Sequence, residues 1–112
     1  MRFGIPFLMA VAVVSGPLAP PSRADESDLA QALIESASTP QQHAALAKHY
    51  EEKAAEARAE AARHLRMAKA YRGGKQMNAV HMRAHCEKLA ALFEEQAKEL
   101  EEMAGMHRDL AK

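Results

Sequence analysis

The segment running from Thr39 to Gly74 constrains this chain more than any other. Thr39 is a good helix N-cap, Pro40 suits the first helical position, and Gln42 completes a capping box three residues after Thr39. Lys69 and Arg72 lie in the last turn, where cations complement the helix dipole, and Gly73 and Gly74 break the helix. This predicts a helix over about 40–72, roughly 50 Å long at 1.5 Å per residue. A second helix is expected from Met77 or Asn78 to near the end, about 77–111, with Gly105 as a weak point. Before both, "SDLAQALIESAS" can form a short helix capped by Ser27, with Leu29, Leu33 and Ile34 on its apolar side. The expected fold class is all-α: a short N-terminal helix and linker at 25–38, then a long antiparallel helical hairpin at 39–112.

The apolar positions of the long helices follow a heptad. In the first they are Ala47, Tyr50, Ala54, Ala57, Ala61, Ala68 and Tyr71, with His43 and His64 in the same register. In the second the register gives Met82, Cys86, Leu89, Phe93, Gln96, Leu100, Met103, His107 and Leu110. This is coiled-coil spacing. The alanines of the first helix would face Leu89, Leu92 and Phe93 and let the axes come close. A turn centred between Gly74 and Lys75 makes the numbers of facing residues sum to about 149. His64 then faces His85, Met67 faces Met82, and His43 faces Met106 beside His107. Leu46, Leu65, Leu92 and Met106 flank the seam, and a second hairpin would bury them. A homodimeric four-helix bundle is therefore expected, which suits a chain with a small core.

The N-terminus has the order of an export signal. Met1 and Arg2 give a basic start, "FGIPFLMAVAVV" is apolar but short for a membrane span, and Ser22 and Ala24 are small residues at the −3 and −1 positions of a cleavage site. Residues 1–24 are read as a signal peptide, with the mature chain, Asp25–Lys112, periplasmic or secreted and not membrane-bound. The mature chain has thirteen basic and fifteen acidic residues, a net charge of −2. That argues against nucleic acid, which needs a basic patch. Cys86 is the only cysteine. In an oxidising compartment an unpaired cysteine implies an intermolecular disulfide, a reactive thiol or a ligand.

"HMRAHC", residues 81–86, gathers two histidines, a methionine and that cysteine. The facing arithmetic sorts the soft side chains into two groups. One lies near the loop: His64, Met67, His81, Met82, His85 and Cys86. The other lies at the open end: His43, Met103, Met106 and His107. Thiolate, thioether and imidazole together suit copper, Cu(I) by the sulfur ligands and Cu(II) by the imidazoles; zinc also suits imidazole with thiolate. At 100° per residue, Met82, His85 and Cys86 share an arc facing the partner helix, while His81 lies to one side. The main expectation is a soft-metal protein, most simply copper, for buffering, sensing or delivery, with the loop-proximal group as its site. A metal-free interaction hairpin with an intersubunit Cys86 disulfide is the alternative. A b-type haem held by His and Met in the bundle is a second. No Ser/His/Asp order or phosphate loop is visible, so no enzymatic activity is expected.

The layout of an export signal, a capped Thr-Pro helix, a two-glycine break and a second helix bearing His, Met and Cys resembles small periplasmic helical-hairpin proteins linked to metal stress. That resemblance implies an exported helical hairpin with a metal-related role. The Leu-Thr-x-x-Gln repeats of hooked-hairpin periplasmic chaperones and the Cys-x-x-x-Cys repeats of bundle-type copper storage proteins are absent.

Overall fold

A computed structural model describes residues 23–75 and 77–112, with side chains from 27 onward. The chain forms three helices: α1 over Arg23–Ser36, α2 over Pro40–Tyr71 and α3 over Ala79–Leu110. The export signal expected at 1–24 lies almost wholly outside the described residues. α1 begins at Arg23, so Ser27 lies inside the helix rather than capping it. Among the described residues no helix is long and apolar enough to cross a membrane.

α2 starts as its sequence requires. The Gln42 N–H donates to Thr39 Oγ1 at 3.2 Å, and Gln42 Oε1 accepts from the Thr39 and Ser38 N–H groups at 3.1 and 2.8 Å. Three backbone donors at the helix start are thereby satisfied. At the other end the Arg72 N–H donates to the Lys69 carbonyl at 3.1 Å, and the Gly74 N–H to the Tyr71 carbonyl at 3.3 Å. Gly73 and Gly74 do not adopt positive φ. Asn78 takes the left-handed conformation instead, at φ 68°, immediately before α3. Asparagine tolerates that region better than other side-chain-bearing residues. α3 then runs unbroken through Gly105.

α2 and α3 pack closely as an antiparallel hairpin. Their seam has two layers. The first is alanine on both sides: Ala47, Ala54, Ala61 and Ala68 from α2, and Ala90, Ala97 and Ala104 from α3, all buried. Each set recurs every seventh residue, so each keeps facing the other along the whole hairpin. The second layer is mixed, with Tyr50, Ala57 and His64 on α2 and Cys86, Phe93, Leu100 and His107 on α3. Ala54, Ala57 and Ala97 form one buried cluster with Phe93 and Leu100 against it. Leu46, Tyr50 and Ala104 form another, closed by Leu100, Met103, Leu33 of α1 and Ala37 just after it.

The register expected for α2 matches the buried residues, but that of α3 needs correcting. Cys86, Phe93, Leu100 and His107 do lie in the seam, yet their companions are Ala90, Ala97 and Ala104. Leu89 is 40% exposed, Leu92 57%, Met82 41% and Leu110 59%, and Gln96 is exposed. α3 is rotated by about half a residue step, roughly 50° at 100° per residue. The physical reason is size. Alanine against alanine brings two backbones nearer than alanine against leucine, and the nearer approach gains dispersion contacts along the full length.

One flank of the seam is charged. Glu51 pairs with Arg108, Arg58 with Glu101 seven residues along, and Arg72 with Glu87 fourteen residues further. The first two contacts are direct, and Arg58 also approaches Glu94 at 3.9 Å. The hydrogen bond from Arg58 holds the Glu101 carboxyl below its ordinary pKa. These exposed pairs contribute little stability singly, and they fix antiparallel register more than they hold the helices together.

Overpacking the alanine layer tests this arrangement. Ala97→Leu should cost about 1–3 kcal/mol in a urea unfolding experiment, while Ala91→Leu, on the exposed face, should be close to neutral. Equal effects at the two positions would show that Ala97 is not at the point of close approach.

Candidate metal centre

The strongest polar contact inside the hairpin is at its open end. His43 on the first turn of α2 and His107 on the last turn of α3 bring their Nδ1 atoms to 3.1 Å. Their rings stack with centroids 5.3 Å apart. Tyr50, two turns into α2, stacks on the other side of His107 at 5.6 Å. In the neutral pair one Nδ1 must carry the proton and the other accept it. Protonating the second Nδ1 would remove the acceptor and set two N–H donors against each other. Burial first, and the His43 charge second, push the His107 pKa below its ordinary value. That shift favours the neutral form, which keeps a lone pair on one ring nitrogen.

This spacing is also that of two ligands on one ion. Nitrogens each about 2.0–2.1 Å from a metal stand about 3 Å apart when the angle between them is near 100°. Met103 lies one turn before His107 on α3 and packs against the buried Leu46, Tyr50 and Ala104 cluster, so a thioether is near the pair. Met106 is 60% exposed on the outer face. The open-end group expected from the sequence is therefore half assembled around His43 and His107, with Met103 beside it and Met106 apart.

The loop-proximal group is divided differently from expectation. Cys86 is buried at 4% exposure in the second layer of the seam. The register fixed by the His43–His107 contact puts Cys86, not His85, opposite His64. The His64 ring stacks on Phe93 at 5.5 Å, and its Nδ1 is buried without a hydrogen-bond partner among the described residues. Met67 is half-buried and Met82 partly exposed, both on the flank opposite the interhelical ion pairs. His81 and His85 are exposed, on faces turned away from α2. The rotation of α3 that seats the alanines is what moves them out. Among the described residues no three His, Cys, Asp or Glu side chains converge on one point. Within one chain the soft residues favourably placed are His43, His107 and Met103 at one end, and His64, Cys86, Met67 and Met82 at the other.

The direct His43–His107 pair and its Tyr50 stack were within reach of the sequence, since all three belong to the second-layer heptad. The signal for it was the sevenfold recurrence of alanine in both helices. Comparison with protein families, with curated proteins and with solved structures returns no match.

The depressed pKa of His107 has a measurable sign. Because the folded state binds its proton less readily than the unfolded state, its contribution to stability is complete above pH 6.5. That contribution is lost as pH falls through the ordinary imidazole range toward the depressed value. In chelator-treated protein the urea midpoint should fall between pH 7.5 and pH 5.5, and His107→Gln should flatten that fall. An identical slope in wild type and variant would show that this imidazole is not coupled to folding.

Proposed function

We propose that this protein is a non-enzymatic soft-metal carrier that binds copper at the open end of the hairpin, between His43 and His107. The observation that carries the reading is the 3.1 Å approach of two Nδ1 atoms contributed by different helices. Two imidazoles accept either Cu(I) or Cu(II), and the Met103 thioether adds a ligand that favours Cu(I). The depressed pKa of His107 supports the same reading, because a neutral imidazole binds metal without first losing a proton. His64, Cys86, Met67 and Met82 make a second candidate site of the same chemistry, with the orphan His64 Nδ1 as its support. The protein is read as exported to the periplasm, working as a homodimer in copper buffering, sensing or delivery.

A metal-free interaction hairpin is the second reading, favoured by the exposed apolar residues of α3. Its intersubunit disulfide is less favoured, because the Cys86 thiol lies in the chain's own seam and would have to leave it. A haem reading gains nothing from a seam packed with alanine.

Anaerobic Cu(I) titration tests the carrier reading. His43→Ala and His107→Ala should each weaken copper binding by more than about tenfold, the smallest loss seen even for changes one shell out from a metal. Zinc titrated in parallel identifies the preferred ion. Loss confined to Cys86→Ser would move the site to the loop end. Unchanged affinity in all three variants would overturn the metal reading.

A further inference from the structure

α3 carries a second apolar stripe that its own hairpin does not cover. Met82, Leu89, Leu92, Met103, Met106 and Leu110 lie along the flank turned away from the interhelical ion pairs, at spacings of 7, 3, 11, 3 and 4 residues. All but the half-buried Met103 are exposed by 40% or more. On α2 the equivalent flank near the open end is already occupied, because Leu33 and Ala37 pack on the cluster holding Leu46. The uncovered surface therefore belongs to α3.

The stripe is close to a palindrome. Counted outward from Gln96, Leu89 and Met103 lie seven residues either side, and Met82 and Leu110 lie fourteen either side. The exposed residues bordering it have a matching polarity of charge. Lys88, with His81 beyond it, edges its N-terminal half, Glu95 lies next to its centre, and Glu102 and Asp109 edge its C-terminal half. A parallel neighbour would set each half against its own charge. An antiparallel copy sets Lys88 against the partner's Glu102 and His81 against the partner's Asp109, and leaves one like-charge contact, Glu95 beside the partner's Glu95, at the axis.

We infer that a second copy of this chain docks along α3 in antiparallel orientation, with a two-fold axis at Gln96. This rests on the homodimer reading above and specifies its interface. The Gln96 side chains meet at the axis, where each amide can donate to and accept from the other. A polar pair at one seam position fixes register, because any slip would strand the amides among Leu and Met. Leu89 then packs on the partner's Met103, and Met82 on the partner's Leu110. The contact is about 40 Å long at 1.5 Å per residue. It is isologous, so it closes after two copies and leaves no edge to propagate. It also brings the loop end of one hairpin beside the open end of the other. His85, which its own chain leaves in solvent, comes next to the partner's Met106.

Cysteine cross-linking reads the geometry directly. In the full chain with Cys86→Ala, Gln96→Cys should convert most of the protein to a covalent dimer under mild oxidation at micromolar concentration. Leu89→Cys alone should not self-link, but mixed with Met103→Cys it should form the heterologous pair. Light scattering on the unmodified chain accompanies this. A monomer at tens of micromolar would overturn the homodimer reading and the interface with it. A dimer in which Leu89→Cys self-links and Gln96→Cys does not would keep the homodimer and overturn the antiparallel α3 contact. Circular dichroism of each variant shows that the hairpin is intact.

Discussion

Contact between alanines is the constraint on which the rest of this structure depends. Seven buried alanines, four on α2 and three on α3, recur at heptad spacing and form one face of the seam. A methyl group is a weak source of hydrophobic burial, so the seam is not held by large side chains. It is held by the number of close contacts that two long, straight faces can make when nothing bulky separates them. Alanine also has the highest helix propensity, so the residues that permit close approach also stiffen the helices that make it.

That choice decides where chemistry can occur. The alanine layer has no donor atoms, and the charged flank is committed to register. Functional side chains are left to the second layer and the opposite flank, where larger residues fit because the helices diverge from their line of closest approach. In the middle of the second layer these are Ala57, Phe93 and Leu100. Toward the ends they are imidazole, thiol and phenol: His43, Tyr50 and His107 at one end, His64 and Cys86 at the other. The imidazole pair is half-buried, with the Tyr50 ring stacked on His107, and partial burial lowers the His107 pKa and so favours its neutral form.

α1 is attached more lightly. It reaches the hairpin through Leu33, with Ala37 of the following link beside it, while Leu29 is 70% exposed and Ile34 47% exposed. Its role in the described fold is to cover Leu46, which is fully buried. On the side away from the interhelical ion pairs, that cover leaves α2 partly sheltered near the open end and α3 open. At the loop end the alanine layer of α3 gives way to Arg83, which is half-buried and pairs with Glu87 at 3.8 Å. The seam is thus best sealed at the open end, where the closest pair of ring nitrogens lies.

The sequence by itself determined the helices, their direction and the α2 face. Thr39, Pro40 and Gln42 satisfy the start of α2 with local hydrogen bonds, and a heptad of alanine and tyrosine admits one buried stripe. Such features depend on neighbours three to seven residues away, so they are legible without the fold. The rotation of α3 was decided only by tertiary packing. Its sequence offers two competing stripes that share Cys86, Phe93, Leu100 and His107. One adds Met82, Leu89 and Met103, and the other adds Ala90, Ala97 and Ala104. Hydrophobicity favours the first, which is why the sequence points to it. The partner face favours the second, because α2 presents alanines that reward close approach over bulk. That rotation of roughly 50° turns His85 outward, sets Cys86 opposite His64 and joins His43 to His107. No local rule can report it, because it is a property of two surfaces in contact.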